Sequence, residues 1–366
     1  MKVNRIYVNN WRNYDMGTAE FAPGINVICG KNAQGKTNLL EAVYMLTGGK
    51  SFRTRFDKEL IRFDATGGEI LADVEAHGRV QTVRILLQRG QRKTITQNGV
   101  KKTAMELADS LKAVLFCPDD LSIIKSGAAE RRKLLDLAIS QLRPGYAALL
   151  SDYNRLYENK MHILKGWREK PSLLDTLDDF SQSLCRISAQ IIRYRASFSQ
   201  RLAQDAEHIH REFSGGLEKL ETAYKTVSTV TDPLASVQQI TQEIYAHQAA
   251  HRQAEIESQS CLTGAHKDDL IFTVNGMSAR EYASQGQART AALSLKLAER
   301  EIFLEETGEY PVLLLDDVLS ELDEKRRDFV LNRIGGGQTL ITCCEEEEIA
   351  RKTGGRVLNI VNGVIH

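Results

Sequence analysis

Gly30-Lys31-Asn32-Ala33-Gln34-Gly35-Lys36-Thr37 reads G-x-x-x-x-G-K-T. It stands between a compact apolar run, Ile25-Asn26-Val27-Ile28-Cys29, and a stretch whose Leu39, Leu40, Val43, Tyr44 and Leu46 share one helical face before Gly48-Gly49. Strand, glycine-bounded loop and helix make a phosphate cradle. The glycines let the loop wrap tightly, and successive backbone N–H groups and the positive end of the helix dipole face the anion. Lys36 reaches the terminal phosphates and Thr37 offers its hydroxyl to Mg²⁺. Gly30, Lys31, Asn32, Ala33, Gln34, Gly35, Lys36 and Thr37 are therefore the expected nucleotide-binding residues, with ATP and Mg²⁺ as ligands.

Such a loop needs a carboxylate on a neighbouring strand, and Val312-Leu313-Leu314-Leu315-Asp316-Asp317 supplies an apolar strand ending in two acids. Asp316 is expected to hold Mg²⁺ through water beside Thr37. Asp317 is expected to act as general base on an attacking water, which makes Lys36, Asp316 and Asp317 the catalytic set. Farther back, Ser284-Gln285-Gly286-Gln287 precedes a helix expected from near Ala288, a second anion-binding helix start in one chain. One nucleotide has a single γ-phosphate. A second phosphate-reading turn, with Ser284, Gly286 and Gln287 as its nucleotide contacts, makes sense if it serves ATP held by another copy. A head-to-tail homodimer burying two ATP molecules is the expectation. Ser320-Glu321-Leu322-Asp323 would lie at the shared interface.

The remainder of the 366 residues bounds the class. Lys plus Arg number 48 and Asp plus Glu 48, and this zero net charge excludes coating of nucleic acid by bulk charge. No apolar run approaches the roughly 20 residues that span a bilayer, and Met1-Lys2-Val3-Asn4-Arg5 lacks the apolar block of a secretory signal. A cytoplasmic location without membrane contact is expected. Cys29, Cys117, Cys185, Cys261, Cys343 and Cys344 show no C-x-x-C spacing and read as reduced thiols. His247, His251 and Glu255 share a helix face at i, i+4 and i+8, but nothing nearby completes a metal shell, so they read as a solvated face.

Alternation from Lys2 to Val8, and from about Glu69 to Thr103 around the turn Asn98-Gly99, predicts strands. From about Ser122 to Ile256 the pattern is helical. There Leu177, Phe180, Leu184, Ile187, Ile191, Tyr194 and Phe198 form a heptad seam, carried on by Leu202, Ala206, Ile209 and Phe213 to Gly215-Gly216. A short helical arm and a plain bundle helix both fit that seam. The expected architecture is α/β, an ATPase lobe split by a helical insertion. Residues 1–115 carry the P-loop and a basic hairpin, 116–256 form the helical lobe with its arm, and 257–366 carry the second anion turn and the carboxylate strand.

These motifs resemble the ATPase heads of the ABC and SMC superfamily, in which Ser-x-Gly-Gln is the signature motif and Ser-Glu-Leu-Asp the D-loop. The chain is similar in particular to the RecF family. The resemblance is carried by Asn10-Trp11-Arg12-Asn13-Tyr14, the P-loop continued through Asn38-Leu39-Leu40-Glu41-Ala42, Lys50-Ser51-Phe52-Arg53-Thr54, and Pro118-Asp119-Asp120-Leu121. Glu130-Arg131-Arg132-Lys133 and Gly264-Ala265-His266-Lys267-Asp268-Asp269-Leu270 complete it, in family order over nearly the whole chain. The interval from Lys36 to Asp316 is too long for a transporter subunit and too short for an SMC rod. Ala265 and Lys267 depart from the family's proline and arginine, and Ser126-Gly127-Ala128 from its Gly-Ser-Pro turn. Thr342-Cys343-Cys344 stands where related ATPases keep a residue that reads the γ-phosphate, and Thr342 is the candidate for it.

The resemblance implies an ATP-dependent DNA-binding protein that engages duplex beside single-strand gaps. It implies help to RecA loading with RecO and RecR partners, a link to the SOS response, and slow, DNA-stimulated ATP hydrolysis that times an ATP-gated dimer. Arg12 would face a nucleotide phosphate. The expected DNA surface is the hairpin bearing Arg79, Arg84, Arg89, Arg92, Lys93, Lys101, Lys102 and Lys112 against only Glu106 and Asp109, with Arg131-Arg132-Lys133 as the second choice. An ATP-binding clamp without productive hydrolysis and a small-molecule P-loop kinase are the alternatives. The kinase leaves Ser284-Gln285-Gly286-Gln287 without a job.

Overall fold

A computed structural model describes residues 1–344 and 346–366, and only the backbone of 346–349, so the acidic run Glu345 to Glu348 falls outside the described side chains. The chain divides into two compact units, Met1–Ser122 with Ala292–His366, and Ile123–Ala291.

The first unit opens with β1 (Lys2–Trp11), β2 (Tyr14–Glu20), β3 (Ile25–Cys29) and α1 (Lys36–Met45), followed by β4 (Gly67–Ala76), β5 (Arg79–Gln88), β6 (Thr94–Gln97), β7 (Val100–Lys102), α2 (Ala104–Leu107) and β8 (Ala113–Phe116). Six strands form an antiparallel sheet in the order β2-β1-β4-β5-β6-β7. Its β6–β7 register is set by a tight turn. Gln97 faces Val100 across Asn98-Gly99, both at positive φ, the conformation that matches the twist of a two-residue hairpin. β4 alternates strictly between buried and half-buried residues, so one face of this sheet enters the core and the other is left to solvent.

The second unit comprises α3 (Ala128–Leu142), α4 (Pro144–Gly166), α5 (Leu177–Phe213), β9 (Leu220–Lys225), α6 (Val237–Ser258), β10 (Asp269–Val274), β11 (Met277–Ser278) and α7 (Ala279–Tyr282). It also holds the start of α8 (Gln285–Thr307), whose residues from Ala292 onward belong to the first unit. The first unit then ends with β12 (Val312–Asp316), α9 (Glu324–Arg333), β13 (Thr339–Cys343), α10 (Glu346–Thr353), β14 (Arg356–Val361) and β15 (Val364–Ile365).

The second sheet of the first unit runs β15-β14-β3-β13-β12-β8, parallel except for the β14–β15 hairpin. β12 and β13 are buried at every position, as strands covered on both faces must be. One apolar core joins the two sheets around α1, whose Leu39, Leu40, Ala42, Val43 and Met45 are all fully buried. The helix is interior on most of its surface, Lys36 and Glu41 being buried with the apolar residues. Parallel strands β3, β12 and β13 therefore deliver their C-terminal ends to one rim, the place where open α/β sheets hold ligands.

In the second unit α5 is 37 residues long, about 55 Å at 1.5 Å per residue. The seam residues Leu184, Ile191, Phe198 and Leu202 are buried, and so are Cys185, Ser188, Ile192 and Ser199 beside them. That stripe is wider than a two-in-seven coiled-coil seam and marks packing inside a bundle, here with α3, α4, α6 and β9. Arg195 projects from it into the interior. It pairs with Asp136 at 2.9 Å and Asp268 at 2.8 Å and donates to the Ala265 carbonyl at 2.7 Å.

Three expectations change here. Residues 257–291 pack with the helical unit, because β10 pairs with β9 and Asp268 is the hub of its polar core. Arg131 and Arg132 are no open basic patch: Arg131 is buried with both forks on Asp269, and Arg132 donates to the Asp268 carbonyl. Glu255 is no solvated side chain either, being fully buried 2.7 Å from Lys160.

Candidate nucleotide site

The loop after β3 is held from outside by the β1–β2 turn. Asn13 Nδ2 donates to the Gln34 carbonyl at 2.9 Å, Tyr14 Oη to the Gly35 carbonyl at 2.9 Å, and Trp11 Nε1 to the Asn38 carbonyl at 2.8 Å. On the other flank the Gly363 amide donates to the Gln34 carbonyl and the Asn362 amide to the Gln34 side chain. Gly35 caps α1 at φ 114°, and a Cβ there would lie 2.7 Å from Asn13 Oδ1 and 3.0 Å from Tyr14 Oη. Only glycine serves at that point. The amides of α1's first turn, free of partners within the helix, thus open toward the rim where β3, β12 and β13 end.

Lys36 is buried with its ammonium folded onto the Gly30 carbonyl at 2.5 Å and the Lys31 carbonyl at 3.1 Å, and 3.5 Å from Cys344 Sγ. Thr37 Oγ1 donates to Asp316 Oδ1 at 2.8 Å. Burial pushes the Asp316 carboxyl up, against hydrogen bonds from Thr37 and Thr342 that favour its ionised form. A buried carboxylate beside a hydroxyl, with few cations of its own, is a donor set suited to a hard divalent cation. Mg²⁺ fits Thr37 and Asp316.

Asp317 sits at φ 54°, and its carboxylate accepts from Ser320 Oγ at 2.9 Å. Thr342, fully buried in β13, donates to Asp316 Oδ1 and accepts from the Asp317 amide, both at 2.9 Å. Thr342 thus orients the two acids from behind. Just beyond this strand the exposed Cys344 touches the P-loop, with Sγ also 3.0 Å from Asn32 Oδ1. Behind it the Cys29 and Cys343 thiols lie 3.4 Å apart at paired positions of β3 and β13, both reduced.

Arg12 is engaged elsewhere. Its guanidinium forks onto the buried Glu41 of α1 at 2.7 and 2.8 Å and donates to the Glu59 carbonyl. Arg53, which the sequence offers only as part of a family motif, shares Glu41 at 3.7 Å and donates to Asn38 Oδ1, and its charge lowers the pKa of the Asp316 carboxyl.

In the second unit the helix bearing the signature starts at Gln285, not near Ala288. Ser284 is its cap: Ser284 Oγ accepts from the Gln287 amide at 3.2 Å while Gln287 Oε1 accepts from the Ser284 amide at 2.9 Å. Ser-x-x-Gln is a capping box, a pattern present in the sequence that fixes the earlier start. The box uses Ser284 Oγ as an acceptor, while Ser284 and Gln285 are exposed and Gly286 is half-buried. Gln287 Nε2 is steered by Glu218 Oε1 at 2.9 Å, and Glu218 in turn meets the buried His210 at 3.1 Å. Burial lowers the His210 pKa, opposed by Glu218.

The basic hairpin is less positive than its sequence. Arg84 pairs with Glu69, Lys93 with Asp57 and Lys102 with Glu106, while Arg89 serves backbone carbonyls and Lys112 is buried. Among the described residues Arg79, Arg92 and Lys101 have no carboxylate partner.

A family model described as RecF/RecN/SMC N terminal domain matches residues 2–360. The chain is 39% identical over 361 residues to the DNA replication and repair protein RecF of Acetivibrio thermocellus, covering 98% of each. It is 38% identical over 358 residues to that of Bacillus subtilis, covering 96% of each. Its structure superposes with a TM-score of 0.92, at 35% identity and over 97% of the other chain, on the recombination mediator protein RecF-ATPrS in the RecFOR pathway. An Smc head domain from Pyrococcus furiosus, at 15% identity and a TM-score of 0.56, shares the fold. The α/β architecture is that of an ABC/SMC-type ATPase head with an inserted helical lobe.

Proposed function

The chain belongs to the RecF family of DNA replication and repair proteins, and from that membership we propose an ATP-dependent DNA-binding protein of recombinational repair that closes as a homodimer. The observation that carries the reading is the presence in one chain of a phosphate cradle, Gly30 to Thr37 with Asp316, and a second, exposed helix-capping turn at Ser284. ATP held by Lys36 and the loop amides of one copy is capped by Ser284 and Gly286 of the other. Mg²⁺ would be held by Thr37 and Asp316, where it would neutralise phosphate charge. Asp317 is the carboxylate available to take a proton from an attacking water, oriented by Ser320 and by the Thr342 hydroxyl at its amide. Loss of the shared γ-phosphate removes the ligand that favours the closed pair, so hydrolysis acts as a timer.

The solved relatives described as RecF-ATP and RecF-ATPrS in the RecFOR pathway support ATP as the nucleotide and RecO and RecR as partners; action at gaps in the cytoplasm is part of the proposal. Ser284→Arg tests the capping directly. Sedimentation should show ATP-induced dimers lost while the monomer still binds ATP; dimers that persist in Ser284→Arg defeat the reading. Asp317→Asn should trap the ATP dimer. Unchanged dimer lifetime with no phosphate release in the wild type would favour a clamp without productive hydrolysis.

A further inference from the structure

Residues 53–64 carry two aromatic side chains that are largely exposed. Phe63 is 97% exposed and Phe56 60%, although Phe52, a few residues earlier, is packed edge-on against Tyr44. Exposed phenylalanines on floppy loops are unremarkable, but this backbone is pinned. Arg89 donates to the carbonyls of Arg62, Phe63 and Ala65 at 2.9 to 3.2 Å, the Arg62 amide donates to the Asn10 carbonyl, and Ile61 bridges Trp11. Lys93 holds the other shoulder through Asp57. The β5–β6 turn is thus tied to both aromatic segments, and a rigid frame presents rings to solvent.

The surrounding charge states what the rings await. Arg55, Lys58 and Arg92 are exposed and have no carboxylate partner among the described residues; of the segment's three carboxylates Asp57 and Asp64 are paired with cations, and the exposed Glu59 accepts from Thr54 Oγ1. Lys58 Nζ stands 5.6 Å from the centre of the Phe56 ring. Rings framed by unpaired cations match a polyanion that carries its own flat faces, which is a nucleic acid. A continuous duplex offers groove edges and phosphates and hides its base faces. Single strands and the ends of duplex segments expose them.

We propose that the Arg53–Asp64 loop is a stacking platform on which Phe63 takes an unpaired base at a single-strand boundary, while Arg55, Lys58 and Arg92 hold the flanking phosphates. This rests on the DNA-binding reading above and adds to it the feature by which a gap is told from intact duplex.

The test uses the full chain with ATP and Mg²⁺ and two DNAs of equal length, a continuous duplex and one with a gap bearing 2-aminopurine at its first unpaired position. Binding of the wild type should change the 2-aminopurine emission. Phe63→Ala should lose that change and about tenfold of the preference for gapped DNA, with duplex affinity and thermal melting unaltered. Phe63→Trp should restore both. Arg55→Glu with Lys58→Glu should weaken both DNAs together. A Phe63→Ala protein that keeps the emission change and the gap preference overturns the platform, as does one whose DNA binding is intact but whose hold on a mediator protein is lost. A wild type that binds neither DNA overturns the underlying reading instead.

Discussion

The Thr342 hydroxyl has one hydrogen and two obligations, donating to Asp316 and accepting from the Asp317 amide. Thr342→Val keeps the shape of β13 and removes both. ATP binding should survive while hydrolysis falls by about 10- to 100-fold, the usual cost of losing a group that orients a metal ligand, as read by phosphate release at saturating ATP. His266 is a second residue whose environment sets its chemistry. Its Nδ1 meets Tyr153 Oη at 2.7 Å, its Nε2 faces the Cys261 carbonyl, and burial lowers its pKa to about 4. The unfolded chain then binds a proton, at pKa near 6.5, that the folded chain refuses. The stabilisation is complete above that pH and lost as pH falls toward 4, worth up to about 3 kcal/mol. Urea midpoints between pH 7 and 4 should decline, and less steeply in His266→Asn. At this scale the P-loop between β3 and α1 was legible in the sequence, since few patterns besides a phosphate cradle need G-x-x-x-x-G-K-T between strand and helix. The partners of Arg12 and the orienting role of Thr342 were not, because both depend on which side chains the sheet brings together across the fold.

Among elements, α4 and α6 are joined by Lys160 and Glu255, both fully buried, with Glu255 Oε1 also receiving the Leu262 and Thr263 amides. Removing one partner leaves a buried charge. Lys160→Met should cost about 3–5 kcal/mol, seen as a lower melting temperature, and Lys160→Met with Glu255→Gln should recover part of it. Sequence periodicity found α5 from its apolar spacing but could not tell arm from bundle, since the deciding residues are small and polar: Ser188, Ser199 and Ala196 are buried only because neighbours cover them. The placement of residues 257–291 was hidden for a related reason. β10 pairs with β9 across the whole of α6, and no local pattern announces a partner that distant.

For the whole molecule, equal numbers of acids and bases confine attraction for DNA to particular faces. Internal ion pairs take Arg84, Lys93 and Lys102 out of the basic hairpin, leaving fewer phosphate contacts per copy than the sequence promised. If ATP pairs two copies on one DNA, the contacts double. The slope of log affinity against log salt should be about twice as steep with ATP as without, measured by fluorescence anisotropy; equal slopes would place DNA on a single copy.

The hydrogen bonds on Gln34 join the P-loop to Asn13 on one side and to Asn362 and Gly363 on the other. A ribosome therefore makes the loop long before it makes the second brace. At roughly 10 residues per second the wait is on the order of half a minute, during which all of residues 123–291 is synthesised. A chain truncated before Asn362 should be a poor nucleotide binder, seen as a loss of ATP affinity relative to the full chain.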